Sequence, residues 1–274
     1  MVQQQPTRGG GISRTTLPLL QTLHQRFPTA FTVAEAAEAT GVETPRAHQL
    51  LAYLAQRGWL ERVHRGLYVA VPLEAHVQGQ WREDAWVIAA KTFDPCYIGG
   101  WSACEHWGLT EQIFREVVVL CGRRVRDRHP TIQDFSYLVR AIQPDHLFGT
   151  GSVWRGQVRV QVSDPSKTLV DILDTPALGG GIAHIAAVLT EYLREPLRDD
   201  QALLAYTLRA GNRSVFKRLG YLTQLVCPEQ TALISVCHEN ISSGVTLLDP
   251  GHPAGGSVDR SWGLRVNVPI QVDP

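Results

Sequence analysis

Arg46, His48 and Gln49 lie within one helical turn of each other, directly behind a Thr44-Pro45 pair. A guanidinium can donate twice to guanine and a carboxamide can pair with adenine, while an imidazole is the weaker reader. The start of a helix also favours a nearby phosphate. Arg62, His64 and Arg65 follow in a short apolar context, and such cations suit phosphate or minor-groove contact. Base-reading groups on a helix with cations on a neighbouring hairpin are the chemistry of a DNA reader. The same layout also serves as a scaffold for protein contacts. DNA is favoured because polar and basic residues cluster where a reader needs them.

Three other constellations invite an enzymatic reading. Asp164, Lys167 and Asp171 resemble an acid–base cluster for phosphoryl transfer, chemistry that usually brings a Gly-rich phosphate loop or metal ligands. Gly179-Gly180-Gly181 lacks the Lys-Ser/Thr that would follow in such a loop. Asp164-Pro165 therefore reads as a helix cap with its first residue, and Lys167 with Asp171 as an ion pair on the helix surface. Ser102, Glu105 and His106 lack the GxSxG elbow of a serine hydrolase. Ser102 reads as a helix cap, and Trp101 and Trp107 as core. Cys96, Cys104, Cys121, Cys227 and Cys237 form an odd set without a CxxC. Cys104 with His106, and Cys237 with His238, have no matching second pair at zinc spacing. Buried cysteines and ordinary histidines are expected, with no metal, no cofactor and no catalytic residue. Such cysteine usage points to a reducing, cytoplasmic setting.

Two basic clusters stand apart. Arg123, Arg124, Arg126 and Arg128 contain one acid, Asp127; Arg213, Lys217 and Arg218 follow a Gly-Asn turn. Each reads either as a solvated face or as an additional nucleic-acid contact.

These groups need elements to hold them. Thr32 is an N-cap for a short helix over 33–39, Gly41 the turn, and Val42 a buried plug. Thr44 as N-cap and Pro45 as first residue start a second helix. Ala47, Leu50, Leu51 and Leu54 form its apolar stripe, leaving Arg46, His48, Gln49, Tyr53 and Gln56 on other faces. Gly58 ends it. Residues 59–63 and 67–71 alternate as two strands with 64–66 as tip, and 13–27 is a backing helix. Beyond the wing, helices are predicted over 81–92, 167–174, 182–192, 201–210 and 215–225, the last bent at Gly220. A Gly-Gly turn and helix are predicted over 97–109, strands over 117–121, 135–142 and 158–162, and β-type segments over 233–272.

The chain has 274 residues, 44% of them hydrophobic, and zero formal net charge. That length fits two domains with real cores. Neutrality excludes a histone-like mode of binding, so any DNA affinity must come from local patches. Only three of the 26 basic residues are lysines, a bias that suits bidentate contacts. No secretory leader or membrane span is read from the sequence.

Four stretches together resemble the AbiEi antitoxins of type IV toxin–antitoxin (abortive-infection) systems: RGLYVAVP (65–72), YIGGWSACEHWGLTEQ (97–112), VSDPSKTLVDILDTP with the following GGGI (162–182), and GNRSVFKRLGYLTQLV (211–226). The resemblance implies a winged-helix regulator that binds inverted repeats in its own promoter. It also implies a C-terminal domain that counteracts a nucleotidyltransferase toxin without a stable complex.

The expectation is thus an α+β protein. A flexible tail (1–12) precedes a winged helix-turn-helix (13–72), a linker (73–80) and a larger mixed α/β antitoxin domain (81–274). The expected DNA-binding set is Thr44, Arg46, His48, Gln49, Tyr53, Arg62, His64 and Arg65, on double-stranded operator DNA, with a monomer or a pair of protomers bound. The alternatives are an enzyme acting on the toxin or its RNA target, or a generic regulator with a protein-interaction domain.

Overall fold

Thr32 starts the helix-turn-helix with a reciprocal cap. Its hydroxyl accepts from the Glu35 amide at 3.2 Å, and the Glu35 carboxylate accepts from the Thr32 amide at 2.8 Å, so two orphan donors are satisfied together. The structure, a computed structural model, describes residues 12–71, 82–194 and 196–270. The expected linker, Pro72, Trp81 and all of the expected tail except Ile12 lie outside the described residues.

The N-terminal part comprises α1 (Leu17–Arg26), β1 (Phe31–Thr32), α2 (Val33–Thr40), α3 (Thr44–Gln56), β2 (Leu60–His64) and β3 (Leu67–Ala70). The strands form a sheet in the order β1-β3-β2. Leu23, Phe31, Leu51, Leu54, Leu60 and Tyr68 share its core. Gly41 takes a left-handed conformation, φ 67°, which allows the sharp turn. Two local expectations need correction. Glu43, not Thr44, is the N-cap of α3, because the Glu43 carbonyl accepts the first helical bond from Ala47. Thr44 and Pro45 are the first helical residues, and the Thr44 side chain makes no cap bond. Val42 is half-buried rather than a plug.

The C-terminal part opens with α4 (Ala85–Phe93), whose start is set by Asp84: its carboxylate accepts from the Trp86 and Val87 amides. A six-stranded mixed sheet follows, ordered β6-β7-β5-β4-β9-β8. Its strands are β4 (Cys96–Ile98), β5 (Glu116–Cys121), β6 (Thr131–Ile132), β7 (Phe135–Ala141), β8 (Thr150–Arg155) and β9 (Val158–Ser163). Strands β5 and β7 run parallel, as do β4 and β9. Alternation divides the sheet's two faces. Val119, Cys121 and Val139 pack with α4 in one core. Tyr97, Val118 and Leu120 face Trp101 and Leu178 in another, next to α5 (Gly100–His106). Residues 97 and 98 are thus strand, where a turn and helix were predicted.

Helices α6 (Pro165–Asp174), α7 (Ile182–Arg194), α8 (Asp200–Ala210), α9 (Ser214–Val226) and α10 (Thr231–Glu239) share one large core. A small sheet of β10 (Thr246–Leu247), β11 (Ser257–Asp259) and β12 (Leu264–Val266) lies beside them. Helix α10 replaces an expected β segment, since Leu233 and Cys237 bury at helical spacing. Helix α9 runs unbroken through Gly220. That glycine is required by packing: a Cβ there would stand 2.2 Å from the Trp262 ring.

The two parts touch. Ala30, Val63, Leu67 and Val69 join the core of α4 and the large sheet. The Glu83 carboxylate accepts from the Ala30 amide, and the Lys91 ammonium pairs with Glu35. No helix among the described residues is long and apolar enough to cross a membrane.

Candidate nucleic-acid interface

Helix α3 divides cleanly. Ala47, Leu51 and Leu54 are buried; Thr44, Arg46, His48 and Gln49 are exposed on its first two turns. The side chains of Arg46, His48 and Gln49 bond no other protein group among the described residues. Tyr53 differs from the sequence expectation. It is half-buried against the N-terminal core, with the Arg57 guanidinium 5.2 Å from its ring centre. Its ring belongs more to packing than to an open face.

The wing places Arg62, His64 and Arg65 on its exposed edge. A register shift between Arg62 and His64 bends β2, and Gly66, at φ 80°, closes the tip. The Arg62 Nε donates to the His64 carbonyl at 3.4 Å. Desolvation and the neighbouring Arg62 charge lower the His64 pKa. The imidazole is therefore a neutral hydrogen-bonding group at neutral pH, while Arg62 and Arg65 carry the wing's charge.

The loop after β5 adds an arrangement that no local signal could show. Arg123, Arg124 and Arg126 line the same open hollow as His64, Arg65 and Gly66, with Lys91 between them. Arg123 is partly committed to the fold, donating to the Asp94 and Thr92 carbonyls at 2.9 and 2.6 Å. Arg124, Arg126 and Arg128 have no side-chain partner among the described residues. Asp127 is turned to cap the His129 amide at 2.9 Å. Arg128 lies just past the residues that line the hollow.

The second basic cluster is no surface. Lys217 is 0% and Arg218 2% exposed. Lys217 Nζ donates to the Gly244 carbonyl at 2.7 Å. Arg218 donates to the carbonyls of Leu248, Leu173 and Leu247 at 3.0, 2.8 and 3.0 Å. Arg213 stays exposed but bonds Asn240. Two of these cations tie α9 to α6 and to the backbone around β10, so Lys217 and Arg218 are structural and offer no nucleic-acid contact.

The expected surface pair Lys167–Asp171 is likewise buried, with side chains 3% and 9% exposed. The Lys167 ammonium donates to Asp171; it also donates to the Tyr97 hydroxyl at 2.9 Å, which donates to Asp171 at 2.9 Å. Burial pushes the Tyr97 hydroxyl well up, keeping it a donor. Asp164 caps α6 as expected and accepts from the Tyr206 hydroxyl. Ser102 is not a cap: it sits inside α5 and accepts from the Val118 amide at 3.0 Å, stapling helix to strand. Trp101 is buried and Trp107 half-buried. Burial pushes the thiols of Cys96, Cys104 and Cys237 up to about 12, so they remain protonated. Among the described residues no group of three or more His, Cys, Asp or Glu is placed to hold a metal ion.

Comparison with known proteins fits this geometry. The family model described as "Transcriptional regulator, AbiEi antitoxin" matches residues 19–71. Those residues run from α1 to the end of the wing. A comparison with curated protein sequences gives no significant match. Among solved structures, the RV2827C protein from Mycobacterium tuberculosis is similar in fold. Its crystal structure has a TM-score of 0.58 at 17% identity, covering 94% of this chain and 93% of that one. The likeness extends through both parts of the molecule. Residues 19–71 therefore match the model of the AbiEi antitoxin transcriptional regulators, and a larger C-terminal part of mixed α/β structure follows them.

Proposed function

We propose that the protein is a DNA-binding transcriptional regulator and antitoxin that represses its own operon. The observation that carries this reading is the unpartnered donor set of Arg46, His48 and Gln49 on the exposed start of α3. Beside it lies a wing whose Arg62 and Arg65 are exposed. The α3 side chains read base edges in the major groove. Arg62 and Arg65 anchor the wing, with His64 as a neutral contact and Thr44 near the backbone. Arg124 and Arg126 extend the phosphate track from the wing onto the C-terminal domain, and Arg128 lies at its margin. Affinity then comes from one polarised face, in keeping with a neutral chain.

The antitoxin half of the proposal rests on the family resemblance. The C-terminal domain counteracts a nucleotidyltransferase toxin without holding it in a stable complex. Inverted repeats would seat two protomers, one on each half-site. The enzyme alternative draws little support from the Lys167–Asp171–Tyr97 cluster. The slot it borders has a volume of about 30 Å³, room for a water molecule and little else.

The test is a titration of the full-length protein on its own upstream DNA at two salt concentrations, against scrambled DNA. Selective, salt-sensitive binding is expected. Equal affinity for both DNAs would refute operator recognition.

A further inference from the structure

A second hollow lies on the other side of the 122–124 segment, at the carboxyl ends of β5 and β7. These strands are parallel neighbours, and open sheets bind ligands outside the carboxyl ends of their parallel strands. Its volume is about 510 Å³, within the range of roughly 300–1,000 Å³ typical of small-molecule sites. Arg123, Arg124, Arg140, Gln143, His146 and Asp174 line it. Three guanidiniums and one carboxylate thus share its lining, Arg123 being held by the Thr92 and Asp94 carbonyls.

That carboxylate is already in use. Asp174 accepts from the Asn212 carboxamide at 2.7 Å and from the Thr175 hydroxyl at 3.1 Å. Arg140 approaches it only to 3.9 Å, and Arg124 has no side-chain partner among the described residues. The net character of the hollow is cationic, with forked donors suited to a tetrahedral oxyanion. Inward, Arg140, His146 and Asp174 also border the narrow slot that ends at Lys167. The slot is too small for a phosphate, so an anionic head would stay among the arginines.

We propose that this hollow binds a small phosphate monoester, and that its occupancy weakens DNA binding. The second half rests on the DNA-binding reading above. Arg124 borders both this hollow and the one beside the wing. A guanidinium turned towards a ligand phosphate in this hollow is drawn away from a DNA phosphate on the wing side. Competition for Arg124 makes the two ligands oppose each other, and the opposition is reciprocal.

The experiment is calorimetric titration of the full-length protein with inorganic phosphate, compared with chloride at matched ionic strength. DNA titrations with and without phosphate follow. Saturable phosphate binding is expected, weakened about tenfold or more by Arg140→Gln, because a charge-assisted bond is lost. Asp174→Asn should tighten it, since a carboxylate repels the anion while the amide oxygen still accepts from Asn212. Phosphate at a concentration that just saturates the wild type should lower its DNA affinity, and lower it less in Arg140→Gln, which is then only partly occupied. Absence of saturable binding, or binding indifferent to both variants in folded protein, overturns the site. Phosphate binding with unchanged DNA affinity overturns the opposition alone. If the protein binds no DNA, the regulator reading fails, and the phosphate titration still decides the site.

Discussion

Helices α3 and α9 look alike as strings: each follows a turn and carries basic residues among an apolar stripe. Their cations meet opposite fates. Arg46 is exposed and bonds nothing among the described residues, whereas Arg218 is buried and spends its donors on three carbonyls. A basic residue reports a nucleic-acid surface only when the fold leaves its donors unused. The same contrast separates Arg124, whose side chain bonds nothing among the described residues, from Arg123, which is held by the Thr92 and Asp94 carbonyls.

The largest effect is expected for Arg218→Ala. It strands the carbonyls of Leu173, Leu247 and Leu248 in the interior. A loss of about 3 kcal/mol or more is expected, read as a lower urea midpoint, with DNA affinity unchanged in the folded fraction. A specific loss of DNA binding at full stability would instead make α9 a contact surface. Next comes Gly220→Ala, on the same helix. Its methyl would collide with Trp262, costing about 1–3 kcal/mol of stability. A neutral result in thermal melts would show that the α9–Trp262 contact is looser than described.

On the other side of the comparison, Arg46→Ala should leave stability within about 0.5 kcal/mol. Its effect is on recognition: about 1–3 kcal/mol lost on the cognate site, with relaxed choice at one base. Smallest is Arg65→Ala. Binding should weaken on all sequences alike, and the salt slope should fall by about 1. If Arg46→Ala and Arg65→Ala give the same profile, the division between reading and anchoring is wrong.

Legibility follows the range of the forces involved. The helix-turn-helix is written in short-range chemistry: the Thr32–Glu35 cap, the Gly41 turn and the stripe of Ala47, Leu51 and Leu54. All are complete within about thirty residues of chain, and all were readable. The α3 boundary slipped by one residue because Thr44-Pro45 resembles a cap pair, while Glu43 supplies the capping carbonyl. The large sheet was only partly readable. β4 is three residues long, and its place between β5 and β9 depends on partners distant in sequence. Edge strand β8 was not anticipated, and α10 was misread because Ile234, Val236 and Cys237 are β-type residues whose helical spacing is short.

The site shows the same limit. The exposed face of α3 and the wing tip are local features. The approach of Arg124 and Arg126 to the wing is not, because it follows from α4 packing against β3 and the large sheet. The burial of Lys167, Lys217 and Arg218 was invisible for a related reason. Their acceptors, such as Tyr97 and the carbonyls of Gly244 and Leu248, come from 27 to 70 residues away.

The most direct measurement is the selectivity ratio of the intact protein for its upstream DNA over scrambled DNA, by fluorescence anisotropy, in wild type and in Arg46→Ala/Gln49→Ala. Truncating the winged helix would be a poorer test, since Val63, Leu67 and Val69 cover the core of the second part. A wild-type ratio of about 10³ or more is expected, collapsing towards unity in the double variant with the melting curve unchanged. A double variant that keeps its selectivity would contradict the claim that the exposed face of α3 reads DNA.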